Sequence, residues 1–410
     1  MSSSADTSDG MVTPTDAGSS SATPPSDAPV PPGPPEPPAP PEPPGPSHRR
    51  RPSRRSWIVA FLVLAVVGSI VSASVVRLDY YAFRPGSVRN TEPLIHVAAD
   101  GPQIYPSDGE ISFTTVALRH VTLFGLLQGW LDPDVDIHSA DEVLQGRNSE
   151  ENRQVNLELM DTSQQVATQV ALEELGYEVP VSITGQLVLG VEDGYPADGK
   201  LEEGDTIVAI DGTRLDDPDD LERLLGDKHP GDEIVATVRP FTESTEDDVD
   251  LTLAPSPEDP DQGVMGVTVQ PTGVQFDFPF QTSFETGEVG GPSAGLAFTL
   301  GLIDALTPGE LTGGASVAVT GTISSDGSVG PIGGAGQKAA AVRQAGVDVF
   351  LVPSADYQDA IAHAGDVQVV KVDTLDQALE ALADLGGNGL HLPDLAAQQA
   401  AGSGPPGTPG

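Results

Sequence analysis

The chain has 410 residues, room for two or three domains once flexible ends are set aside. It holds no cysteine, which excludes a disulfide framework and a cysteine-based zinc site and fits a protein of the cell envelope. The formal net charge is −42, with all but six of the acidic residues beyond Arg77; such a surface is strongly solvated and repels nucleic acid and anionic lipid headgroups, so no nucleic-acid partner is expected.

Residues 1–55 open as Ser, Thr, Ala, Pro and Asp, with a proline run at 31–46. Almost nothing there offsets the entropy of ordering a backbone, so a disordered, locally polyproline II spacer is expected. Arg49, Arg50, Arg51, Arg54 and Arg55 follow, and then residues 57–76 without a charge. As a helix that run reaches about 30 Å, one bilayer crossing. The positive-inside rule puts residues 1–55 in the cytoplasm and everything from Leu78 outside. The expectation is a cell-membrane protein with one retained signal anchor over 56–77.

Beyond the anchor, residues 78–88 and 93–97 read as extended chain, and 111–118 alternates as a strand does. Residues 155–175 carry apolar side chains at helical spacing and stop at Gly176. His120, His138 and Met160 in this stretch call for no functional reading.

From 176 to 256 the pattern changes. LVLGV at 187–191, GYPA at 194–197, LEEGDTIVAIDG at 201–212, a helix over 217–225 and strands at 233–239 and 248–253 together resemble a PDZ domain. The strand 206–210 ends in an Asp-Gly turn. The resemblance implies an extended peptide bound as an added strand, its carboxylate in a backbone nest, here assigned to 184–189. A module that only spaces or gates its neighbour is the alternative.

Residues 257–386 carry the chemistry. Residues 264–269 alternate toward GGPSAGLA at 290–297, in which Ser293 stands between Gly291 and Gly295. The run 294–306 after it is apolar except for Asp304, a buried helix by length. Glycines let the backbone turn sharply and a substrate carbonyl come close. A serine at a helix start lies near unpaired N–H groups that suit an oxyanion. A serine hydroxyl needs a base, and Lys338, opening the Ala/Val-rich run 338–345 before Gly346, is the candidate; burial must keep it neutral. Beyond it, strands at 347–352 and 367–372 flank a helix at 356–364. Thr374 and Gln377 form a capping box for a helix ending near Leu385, and a frayed tail is expected over 387–410.

GPSAG at 291–295, TGTI at 320–323 and PIGGAGQK at 331–338, in this order and spacing, resemble the proteolytic domain of Lon-type Ser–Lys proteases. The resemblance implies Ser293 as nucleophile, Lys338 as general base, Thr320 as a hydroxyl that orients the lysine, and Gly291 and Ala294 as supporting positions around the serine. It also implies an α+β chain: a Lon-type α/β domain of mixed sheet and helices, begun by 78–175, completed by 257–386 and interrupted by the PDZ domain. Such domains commonly form hexameric rings. Thr322 stands where many Lon enzymes are acidic, and Ala335, Gly336 and Gln337 replace a more charged tripeptide; neither departure removes a catalytic atom.

The expected activity is that of a membrane-anchored serine endopeptidase outside the cytoplasm, acting on protein or peptide substrates without metal or cofactor. No G-x-x-x-x-G-K-[ST] segment occurs, so no nucleotide is expected. Two rivals remain. One is a non-catalytic PDZ adaptor that binds envelope proteins. The other is a Ser–His esterase, since GPSAG also fits the G-x-S-x-G nucleophile elbow; it would need His363 or His391.

Overall fold

The computed structural model describes residues 54–99, 101–241 and 244–402. The proline-rich segment, most of the basic run and the last residues of the tail lie outside them. The chain divides into two units, Met1–Val63 and Leu64–Gly410. A helix, α1 (Arg54–Val75), coincides with the apolar run; in the first unit Trp57, Ile58, Val59, Phe61, Leu62 and Val63 on it are exposed. Among the described residues no helix is long and apolar enough to cross a membrane. The crossing expected over 56–77 is therefore not established by the fold.

A six-stranded mixed sheet organises the second unit. Its strands are β1 (Arg77–Asn90), β2 (Glu110–Thr122), β3 (Asp136–Ser139), β4 (Ser316–Val319), β5 (Val349–Val352) and β6 (Gln368–Lys371), in the order β6-β5-β4-β2-β1-β3. β1 runs antiparallel to β2 and β3; β4 is parallel to β2 and β5, and β5 to β6. Three strands thus come from before residue 176 and three from after residue 310.

The helices of eight or more residues beyond β1 are α2 (Leu123–Leu131), α3 (Ser149–Glu174), α4 (Gly295–Leu306), α5 (Ala335–Ala345), α6 (Tyr357–Ala364), α7 (Leu375–Asp384) and α8 (Leu395–Gly402). Side chains alternate across a strand, and the central strands use both faces. Val317 and Val319 of β4 and Val349 and Leu351 of β5 join one core with Leu296 and Leu300 of α4, Leu172 of α3 and Leu379 of α7. Ala318, Phe350 and Val352 join another with Ala335, Ala339 and Val342 of α5 and Ala360 of α6. Covered on both faces, such strands read as unbroken apolar runs. That is why 349–352 was legible as a strand.

Local signals set the helix ends. α3 starts at Ser149, earlier than the apolar spacing indicates, because Asn148 and Glu151 close a capping box around a polar first turn. For α7, Thr374 accepts from Gln377 N–H as expected, but the Gln377 side chain reaches Asp373 N–H, one residue before the cap. The tail corrects the expectation of fraying. Leu392, Leu395 and Ala396 pack on the main core, and Leu395 N–H donates to Leu175 O at 3.0 Å.

A second, antiparallel sheet stands between α3 and the serine segment in sequence. Its order is Asp247–Thr252, Glu233–Arg239, Thr206–Ile210, Gly185–Val191 and Val267–Thr272, and Thr213–Arg214 pairs with Thr206–Ile210. It has its own core, with Val188, Ile207, Ile210, Ile234, Ala236 and Leu251. Asp211 and Gly212 both adopt positive φ, 50° and 78°, as the expected Asp-Gly turn requires. The incoming and outgoing chain pair with each other, Val181–Ser182 against Gln275–Phe276.

Removing residues 392–410 strips two leucines from the main core. This should lower unfolding free energy by on the order of 2–4 kcal/mol, measured by urea denaturation. An unchanged midpoint and slope would show that α8 adds nothing.

Candidate active site

Ser293 and Lys338 approach from opposite faces of the first sheet. Ser293 immediately precedes Ala294, the N-cap of α4, on one face; Lys338 lies on α5, whose neighbours Ala335 and Ala339 belong to the core on the other. They can meet only beyond the end of a strand. That strand is β4, and Thr320 is the residue that follows it. Sites at the carboxyl ends of parallel strands arise for this reason.

Lys338 Nζ donates to Ser293 Oγ at 2.7 Å, across 45 residues of sequence, and to Thr320 Oγ1 at 3.0 Å. Thr320 Oγ1 in turn donates to Ser293 O at 3.0 Å. Because its one proton is committed to that carbonyl, the threonine oxygen can only accept from the lysine. Lys338 is 2% exposed and Thr320 0%, while Ser293 is partly open. Among the described residues Lys338 forms no ion pair. Burial pushes its pKa down to about 7, opposed only by the more distant Asp356 carboxylate. Half of the lysine is therefore neutral near pH 7.

Backbone bonds hold the serine loop. Gly291, at φ 93°, donates to Asn156 O at 2.7 Å; Gly295 donates to Pro292 O and Leu296 to Gly321 O. Gly321 donates to Ser293 O, at φ 151°, and a Cβ there would lie 2.6 Å from Val329. Gly291 therefore supports the loop by its conformation, since its N–H is already engaged. The N–H groups of Ser293 and Ala294 donate to no protein group among the described residues, and unpaired N–H groups at a helix start are the kind of donor an oxyanion uses.

A groove of about 420 Å³ opens over the serine, lined among others by Phe83, Phe113, Val116, Met160, Val289 and Lys338. Met160, given no function from sequence, thus borders the site. Asn156 and Ser163 were missed as well. Ser163 Oγ donates to Pro292 O at 3.0 Å, so α3 grips both sides of the loop; polar residues seven apart on a helix face that is otherwise apolar were the available signal. The lysine helix is held by Gln337 donating to Asp136 at 2.7 Å and by Arg343 paired with Asp134 at 2.6 Å.

Neither later histidine bonds to Ser293. His363 faces Pro133 O and Asp359 O, each at 3.1 Å, and His391 is exposed. The base required by a nucleophile-elbow esterase is therefore not beside this serine. His120 meets Tyr81, and His138 meets Glu142 with its ring edge-on to Phe83 at the border of the groove. Among the described residues no group of His, Asp or Glu could hold a metal.

The second sheet carries a groove of about 590 Å³ between the helix Asp220–Gly226 and the edge strand Val267–Thr272, lined by Leu221, Leu225, Met265, Val267 and Val269. The carboxylate-binding loop expected at 184–189 is misplaced. Gly185–Val191 pairs with strands on both sides, so its backbone is used within the sheet, and the short strand Gly263–Val264 with Met265 and Gly266 borders the groove instead.

Comparison with known proteins agrees with this geometry. Residues 287–384 match the Lon protease (S16) C-terminal proteolytic domain and residues 161–253 the PDZ domain. Lon protease 2 of Bacillus subtilis (strain 168) is 30% identical over 105 residues, 25% of this chain and 19% of its own. The Lon protease of Vibrio parahaemolyticus is 35% identical over 109 residues, 25% of this chain and 13% of its own. The matched part is thus less than a fifth of either relative. Among solved structures, the PDZ domain of an SdrC-like protein of Listeria monocytogenes is 24% identical, covering 22% of this chain and 92% of that one at a TM-score of 0.20. A solution structure from Geobacillus thermodenitrificans is 34% identical, covering 21% and 95% at a TM-score of 0.19. The chain combines a PDZ domain with a proteolytic domain of the Lon type.

Proposed function

We propose that this chain is a serine endopeptidase with Ser293 as nucleophile and Lys338 as general base, anchored by α1 with its catalytic part outside the cytoplasm. One observation carries the chemistry: a buried lysine with no ion-pair partner among the described residues, 2.7 Å from a serine hydroxyl at the start of a helix. Neutral Lys338 takes the Ser293 proton as Oγ attacks the substrate carbonyl. Ser293 and Ala294 N–H groups stabilise the resulting oxyanion. The lysine ammonium then protonates the leaving amine, and a water activated by the same lysine hydrolyses the acyl-enzyme. Thr320 keeps Nζ aimed at Oγ throughout.

The uncharged run 57–76, the arginines before it and the exposed apolar side chains of α1 support the anchor. The absence of a Walker motif supports cleavage without ATP, in envelope protein processing or quality control. Substrates would be selected when an extended peptide adds beside Val267–Thr272 in the PDZ groove. A hexameric assembly belongs to the same reading and rests on resemblance alone.

Ser293→Ala, Lys338→Ala and Lys338→Arg should each lose at least ~10³-fold in cleavage of an unfolded protein without nucleotide. Arginine fails because it cannot deprotonate. His363→Ala should stay within a few-fold of the parent. Retained activity in Lys338→Arg would overturn the dyad.

The pH dependence has a definite sign. The lysine is a base only when neutral, so activity and labelling of Ser293 by a serine-reactive probe should rise with pH through about 7. Asp356 favours the ammonium, so Asp356→Asn should move that rise to lower pH. A shift to higher pH, or none, would show that Asp356 does not act on Lys338.

A further inference from the structure

Helix α2 carries apolar side chains that the described chain leaves uncovered. Leu123, Leu127, Trp130 and Leu131 are exposed, Trp130 at 81%, and residues 122–131 contain no charge. The helix is nevertheless fixed to the sheet. Leu126 packs with Val121, Val135 and Ile137, and Gly129 lies so close to Ile137 that a Cβ would come within 2.8 Å. Its outer face therefore calls for a partner.

The location indicates which partner. Thr122 caps α2, accepting from Gly125 N–H at 3.1 Å. Across the β1–β2 ladder Thr122 is paired with Arg77, two residues after α1 ends. Adjacent strands are about 5 Å apart, so α2 begins beside the point where the chain leaves α1. Tyr80, also exposed, lies three residues further along β1. Tryptophan and tyrosine favour the boundary between headgroups and acyl chains, and cations are tolerated there; the two strand ends carry Arg77 and Arg119, with Asp79 as the one acidic residue among them.

We infer that α2 lies on the bilayer surface, with Leu123, Leu127, Trp130 and Leu131 inserted at the headgroup–acyl boundary. The inference rests on the membrane anchoring proposed above. It adds a second contact that fixes how the protease sits on the membrane. The loop leaving α2 supplies Asp134 to Arg343, and the first residue of β3, Asp136, accepts from Gln337, both partners on the lysine helix. Bilayer contact and catalytic helix are thus joined, and the serine groove is held close to chains emerging at the membrane surface.

The chain has two tryptophans, Trp57 and Trp130, so Trp57→Phe leaves Trp130 as the only reporter. The full-length variant is reconstituted in phosphatidylcholine vesicles, with and without bromine on the acyl chain near the headgroup, and floated on a density gradient. The expected result is a floating chain whose Trp130 emission is blue-shifted and quenched by the brominated lipid. Adding Leu127→Asp and Leu131→Asp should leave flotation intact and abolish the quenching. A floating chain with unquenched, water-like emission overturns the inference and spares the anchor. A blue shift without quenching that grows with protein-to-lipid ratio overturns it in favour of a second copy of this chain on that face. A chain that does not float overturns the anchor, and the inference with it.

Discussion

Everything in the catalytic half depends on a lysine buried with no counter-ion bonded to it among the described residues. An ammonium taken out of water unpaired is costly, so the fold favours the neutral amine and brings the pKa of Lys338 to about 7. A carboxylate in contact would reverse this and leave a salt bridge in place of a base. Asp356 is near enough to be felt but is not bonded to Nζ, and it is itself engaged by Ile332 N–H at 2.9 Å. The Thr320 hydroxyl satisfies one polar position of the buried amine without adding charge, and its own proton is spent on Ser293 O.

The two-faced sheet makes that burial possible. Ser293 directly precedes one helix and Lys338 lies on another, and the two helices pack on separate cores, so each is held by its own set of apolar contacts. Only the end of β4 brings them together. The second sheet is then attached by a short ribbon, Val181–Ser182 against Gln275–Phe276. The edge strand of its groove, Val267–Thr272, continues through that ribbon to Phe280 and Phe284 in the main core and on to Ser293. Groove and nucleophile therefore lie on one continuous stretch of backbone.

Much of this was legible in the sequence for identifiable reasons. The strands Thr206–Ile210 and Glu233–Arg239 alternate or end in a turn, and α4 is an apolar run too long for a strand. Three motifs in fixed order put Ser293, Thr320 and Lys338 in one site before any coordinates were needed. The failures share a cause, which is that long-range pairing leaves no local signature. The edge strand 267–272 pairs with residues about eighty positions earlier, so the free edge could not be told from the buried one, and the carboxylate loop was misplaced. The grip of Asn156 and Ser163 on the serine loop is likewise non-local. α2 escaped notice because its segment is apolar on all sides and Thr122, not periodicity, starts the helix.

The account stands on the protonation state of one amine. Selective isotope labelling of lysine, with Lys338 assigned by its absence in Lys338→Arg, allows the Cε resonance to be followed against pH by NMR. A midpoint near 7 is predicted. A midpoint near the unperturbed value of about 10.4 would mean that Lys338 is an ammonium at neutral pH and cannot accept the Ser293 proton.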